Sequence, residues 1–292
     1  MRLYALSIIL VFLGIKTYSQ DGYISGIPAL AYWKVGNKSE TVIVLHGGPA
    51  VQHDYLRPEF DALKKVAKVI YYDQRGCGKS QIAPSYFWKE HIEDLNRVIE
   101  TFSKNRKVIL AGSSWGTKLA LIYTYYYPDN VKGLILSGTV KWWGEQMNEN
   151  YYKENKSKSF RNVETEILES KIEEKRIVKT KSKIDTIDVF KVITTYYGPP
   201  FSETKASFKT APVIDSLSQV KVPVLIFKGT RKPYRPYLED WGSIYQSILP
   251  NAKLHIINYA GHDPWLSNPE EFFNNSIAFV KKLKKRGKKR LR

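Results

Sequence analysis

The sequence predicts an α/β fold: a mostly parallel, eight-stranded sheet with helices on both faces and a helical cap inserted late in the chain. Three observations lead there. Solid apolar runs at 41–45, 68–72, 108–111, 222–227 and 254–258 read as strands buried on both faces. Segments with helical spacing separate them, and a parallel sheet needs such crossovers. Residues 108–122 also pass from apolar strand to helix through one abrupt Gly/Ser turn.

That turn reads Gly112-Ser113-Ser114-Trp115-Gly116, a G-x-S-x-G pattern. A serine on a sharp strand-to-helix turn needs small neighbours two residues before and after it, because larger side chains collide with adjacent backbone. The following helix aims its N-terminal amides and positive dipole end at the place where negative charge develops in acyl transfer. Ser114 is therefore the candidate nucleophile.

In chain order, Arg2, an apolar run at 3–15 and small residues Thr17 and Ser19 read as a cleaved signal peptide over 1–19, which predicts export. The alternatives are an uncleaved anchor or a buried first helix. The one cysteine, Cys77, has no internal disulfide partner. Residues 20–140 form the first part of the core. Positions 23–28 and 30–35 alternate like an antiparallel edge hairpin. The strand at 41–45 ends in His46-Gly47-Gly48-Pro49-Ala50, whose paired glycines can expose amides for an oxyanion. Residues 54–66 look helical. After the strand at 68–72 comes Asp73-Gln74-Arg75-Gly76-Cys77-Gly78-Lys79-Ser80. Its Gly-Lys-Ser ending imitates a phosphate loop, but the required earlier glycine is Asp73, so that reading fails. Asp73 and Arg75 read as a structural turn and Cys77 as a small packed residue.

The motifs at 46–49, 73–80 and 112–116 together resemble the proline iminopeptidase branch of the α/β-hydrolase superfamily. The likeness covers about 40–140 and 218–280, resuming at Val222-Pro223-Val224-Leu225 and Gly261-His262. It implies a serine hydrolase that removes N-terminal proline from short peptides or acts on small amides. The oxyanion donors it implies are the N–H of Trp115 and one of Gly47 or Gly48, with Gly48 chosen for its place beside the proline. His262 has the right chain order for the general base, following Ser114 at the end of the last strand. His255 and His91 read as structural, and His53 could approach the cleft.

The chain departs from the pattern where the superfamily places its triad acid. After the strand at 224–227 it reads Gly229-Thr230-Arg231-Lys232, so Lys232 occupies the acid's position. Glu239, Asp240 and Asp263 are the candidate replacements, with the cap a further source; the identity of the acid stays open. Two alternatives follow: a small-ester or lactone hydrolase of the same fold, and a weakly active or non-catalytic binding protein.

Residues 141–217 fit the cap insertion, with helical spacing at Val163, Ile167 and Ile172 and a carboxylate candidate for substrate contact at Glu145. The second core part runs 218–280, with helices expected at about 237–248 and 269–285. The net charge is +18, and residues 281–292 hold half of that excess. This basic tail reads as a solvated, frayed helix end or as a weak contact for an anionic surface. No nucleic-acid module is recognisable, and the chemistry calls for no metal, nucleotide or redox cofactor.

Overall fold

The computed structural model describes residues 19–142, 166–179, 184–231 and 241–290. Eight strands form one sheet in the order β1-β2-β4-β3-β5-β6-β9-β10. These are β1 (Gly22–Ile24), β2 (Leu30–Val35), β3 (Thr41–Leu45), β4 (Lys68–Tyr72), β5 (Val108–Ser113), β6 (Val131–Ser137), β9 (Val224–Gly229) and β10 (Ala252–Ile257). β1 pairs with β2, and β2 with β4, in antiparallel fashion. Every other pairing in this sheet is parallel.

Alternation along the central strands feeds two cores. Ile43 and Leu45 of β3 point to one face, where they join Leu110, Leu134 and Ile226. α1 (Trp88–Ser103) and α2 (Trp115–Tyr126) cover that side with Leu95, Val98, Leu119 and Ile122. Val42 and Val44 point the other way, toward Ile109, Ile135 and Phe227, beneath Phe272 and Val280 of the C-terminal helix α6 (Pro269–Arg290). A period of two along each strand and of about 3.6 along each helix is the whole reason these residues meet. Residues 54–66 are two short 3-10 helices, His53–Leu56 and Glu59–Lys65. α4 spans Gly242–Ile248, later than the expected start at 237, and residues 232–240 lie outside the described ones. α6 carries helix through residue 290, into the segment expected to fray.

The insertion differs from expectation. Its described part is chiefly a hairpin of two 14-residue strands, β7 (Glu166–Lys179) and β8 (Ile184–Tyr197), followed by α3 (Pro199–Ser207). The reason lies in β8, where Ile187, Val189, Val192, Ile193, Thr194 and Thr195 are all β-branched and suit the pleat. Ile172, Val189 and Ile193 pack on the body. Ile167 and Ile172, read as helical spacing, are strand residues, and Val163 is outside the described residues, as are Glu145 and residues 1–18. β8 docks beside the Gly-Gly-Pro loop: the Tyr196 N–H donates to the Ala50 carbonyl at 2.7 Å, and the Tyr196 hydroxyl donates to Gln52 Oε1 at 3.0 Å.

Candidate active site

β5 delivers Ser114 to the carboxyl end of the sheet in a left-handed conformation, φ 54° and ψ −118°. A non-glycine residue with positive φ is held by its surroundings. Two glycines explain how. A Cβ on Gly112 would lie 2.4 Å from the Gly116 carbonyl oxygen, and one on Gly116 would lie 2.2 Å from that of Leu45. Only backbone without side chains turns this tightly against β3. The Ser114 N–H donates to the Ser137 carbonyl at 3.0 Å, tying the turn to the end of β6. Ser114 is half-buried between fully packed neighbours. Trp115 begins α2, so its amide stands in the first turn, outside the helical ladder.

The loop at 46–50 faces this turn. A Cβ on Gly47 would sit 3.2 Å from Ser114 Cβ. The Gly47 N–H is engaged by the Tyr55 phenol oxygen at 2.9 Å. Gly48 has φ +119°, and a Cβ there would be 2.0 Å from the Ala50 nitrogen, so no other residue fits. With Gly47 committed to Tyr55, Gly48 is the better-placed amide of the two. Burial lowers the His46 imidazole to about 4 and keeps it neutral. In that state Nδ1–H donates to the Gly47 carbonyl at 2.9 Å, and Nε2 accepts the Gln74 N–H at 2.9 Å. Gln74 also donates to the His46 carbonyl and accepts from Trp115 Nε1 at 2.8 Å. Tyr55 and Gln74 thus brace the two loops that flank Ser114. Sequence reading passed over both, although Gln74 lies inside a motif already singled out.

His262 follows β10. A Cβ on Gly138 (φ +57°) would meet the His262 carbonyl oxygen at 2.6 Å and its Nε2 at 3.2 Å. The histidine ring therefore rests on Gly138, next to the Ser137 carbonyl that holds Ser114. Serine and histidine converge on the same end of β6.

Residues 40–269 match the family model for the alpha/beta hydrolase fold. A proline iminopeptidase of Lactobacillus acidophilus is 30% identical over 86% of this chain and 92% of its own. One from Thermoplasma volcanium is 25% identical over 90% of this chain and 97% of its own. The structure superposes on a thermophilic esterase from Thermogutta terrifontis with TM-score 0.65 at 18% identity, covering 88% of this chain and 94% of that one. The chain belongs to the α/β-hydrolase fold family, in its proline iminopeptidase-like branch.

In this α/β hydrolase the acid is the irregular feature. Lys232, Glu239 and Asp240 lie outside the described residues. Asp263 is buried, but its Oδ1 accepts from Trp265 Nε1 at 3.2 Å. Burial, with the Glu174 charge adding to it, raises the Asp263 carboxyl to about 7. What reaches the histidine loop instead is Glu174 of β7, whose carboxylate accepts the N–H groups of Gly261 and Asp263 at 3.0 and 3.1 Å. No motif announces Glu174, because only the fold of the hairpin brings it here.

The remaining candidates are structural in position. His53 is buried, stacks on Trp33 with ring centroids 3.8 Å apart, and meets Asp73 at 2.8 Å. Burial alone would raise the Asp73 carboxyl, yet His53 and the Lys79 N–H outweigh it and hold the group low. His91 meets Thr204 and His255 meets Glu271. Burial pushes the Cys77 thiol well up, which disfavours a thiolate. Arg75 binds Asp94 and Glu90, each at 2.8 Å, and pins the 73–80 turn to α1. Among the described residues no group of three His, Cys, Asp or Glu side chains is placed to hold a metal.

Proposed function

We propose that this α/β hydrolase works through an acyl-enzyme formed on Ser114. One observation carries the reading: Ser114 is held at φ 54° between strand and helix while the His262 ring rests on Gly138 beside it. Ser114 Oγ attacks the substrate carbonyl carbon as His262 Nε2 takes the hydroxyl proton. The amides of Trp115 and Gly48 hold the oxyanion of the tetrahedral intermediate. Collapse expels the leaving group, which takes the proton from His262. A water, deprotonated by the same imidazole, then frees the acid product.

The substrate favoured is a short peptide with N-terminal proline, or a small amide; the two iminopeptidase relatives support it. A second reading, a small-ester or lactone hydrolase, has its own support. The buried hairpin carboxylate Glu174 is occupied by protein donors and is not placed to receive a substrate ammonium. Esters and lactones need no such group. The apolar run and small residues at 3–19 support export, and the basic residues at 281–292 support a weak contact with an anionic surface.

A fluorophosphonate probe should label the protein, and Ser114→Ala should abolish labelling and lower kcat about 10⁶-fold. Labelling that survives in Ser114→Ala sinks the assignment. Turnover of proline arylamides against short acyl esters separates the substrate readings, since a chain that cleaves only the esters is no iminopeptidase. If the protein is unlabelled and turns over neither, the binding-protein reading prevails.

A further inference from the structure

Glu174 projects from the middle of β7 toward the body and is only 4% exposed. An isolated buried carboxylate is costly, and this one is met by four donors. Its oxygens accept from the Gly261 N–H at 3.0 Å, the Asp263 N–H at 3.1 Å and the Ser267 hydroxyl at 2.9 Å, and they face Arg231 Nη1 at 3.3 Å. The two amides flank His262. A Cβ on Gly261 would lie 2.5 Å from Glu174 Oε1, so glycine is what lets the loop close on the carboxylate. β7 is fastened here a second time, because Arg176 Nε donates to the Leu266 carbonyl at 3.0 Å.

The loop after β9 supplies the complementary half. Where the resemblance calls for an acid, this chain has Lys232, with Arg231 just before it. Arg231 turns its guanidinium to Glu174 while its own N–H donates to the Ala260 carbonyl at 2.9 Å. Among the described residues, the segment after β9 thus meets the hairpin carboxylate with a positive charge.

We propose that Glu174 is a positioning residue of His262, a carboxylate lent by the inserted hairpin to the histidine loop. The proposal rests on the reading of Ser114 and His262 as nucleophile and base. By clamping the amides on either side, Glu174 fixes the direction of the imidazole, and its charge favours the imidazolium formed when Ser114 loses its proton. The charged or titratable groups facing it are Arg231 from the β9 loop and Asp263 from the histidine loop. Burial and, after it, the Glu174 charge raise the Asp263 carboxyl, so a change at Glu174 also acts on Asp263 and the charge effect is read with Asp263 replaced by asparagine.

The test is the rate at which a fluorophosphonate labels Ser114, followed across pH in Asp263→Asn and in Asp263→Asn/Glu174→Gln, with Tm for each. Adding Glu174→Gln should slow labelling about tenfold at the pH plateau, short of the loss for a directly bonded acid. It should also move the acid limb down by about half a unit, because the imidazolium loses a nearby negative charge. A merely structural carboxylate lowers Tm without moving the limb. An unchanged limb and rate overturn the proposal. Should the glutamine variant fail to fold, Glu174→Asp in the wild-type background carries the test, since it keeps the charge and shortens the clamp. Labelling about threefold slower with an unmoved limb is expected, and the wild-type rate overturns the proposal. A wild-type protein that is itself unlabelled fails the Ser114–His262 reading; labelled wild type with indifferent Glu174 variants fails this proposal alone.

Discussion

The turn that carries Ser114 is gripped by backbone on every side, whereas the β7–β8 hairpin meets the body at a few anchor points, one of them the main-chain bond from Tyr196 to Ala50. At the turn, carbonyls of Leu45, His46 and Gly116 leave no room for even a methyl group. On the hairpin, Phe190 and Val192 stand about half exposed, and Lys171 lies over the Phe190 ring in solvent. The contrast teaches where this molecule is intolerant. Close backbone packing forbids substitution outright, while a hairpin held at anchor points tolerates change everywhere except at the anchors, Glu174 and Tyr196 among them.

The sharpest way to break the comparison is Gly116→Ala. The added Cβ meets main chain that cannot swing aside, so the loss should exceed about 4 kcal/mol in urea unfolding. A well-folded Gly116→Ala protein would show the turn to be softer than its geometry. Next comes Arg75→Met, which leaves the buried Asp94 with Arg97 alone and takes the Arg75 partner from half-buried Glu90. A loss of about 3–5 kcal/mol is expected from the same measurement.

The pH dependence sharpens the picture of the loop opposite Ser114. The folded His46 imidazole titrates at about 4 against 6.5 for the ordinary group. Between those values the unfolded chain binds the extra proton, so stability rises with pH across that window. The contribution is fully present above 6.5 and is lost as pH falls through 4, roughly 3 kcal/mol in all. The raised Asp263 carboxyl acts with the opposite sign over part of the same window, so the His46 contribution is read as the difference between wild type and His46→Asn in unfolding titrations at pH 7.5 and 4. The smallest effect belongs to the hairpin surface, where Lys175 pairs with Asp188 and both are well exposed. Lys175→Ala should cost under about 0.5 kcal/mol and leave the labelling of Ser114 unchanged.

Sequence alone determined whatever depends on short-range sterics. The apolar runs that became β3, β4, β5 and β9 could only be buried strands, and G-x-S-x-G could only be a tight turn, because each constraint acts within a few residues. That Ser114 and Gly48 sit in tight turns was legible from their glycine-rich surroundings, and that His262 follows the last strand was legible from chain order. The insertion was not. Its charge-rich β7 fits a helical spacing as readily as a strand, and only pairing with the β-branched β8 across 14 residues decides between them. Asp263 is adjacent to His262 in sequence, yet its carboxyl is turned to Trp265, while Glu174, 88 positions away, reaches the loop. Which carboxylate reaches a loop is settled by direction and distance in space, and a strand from a distant insertion can supply both where the adjacent residue turns away.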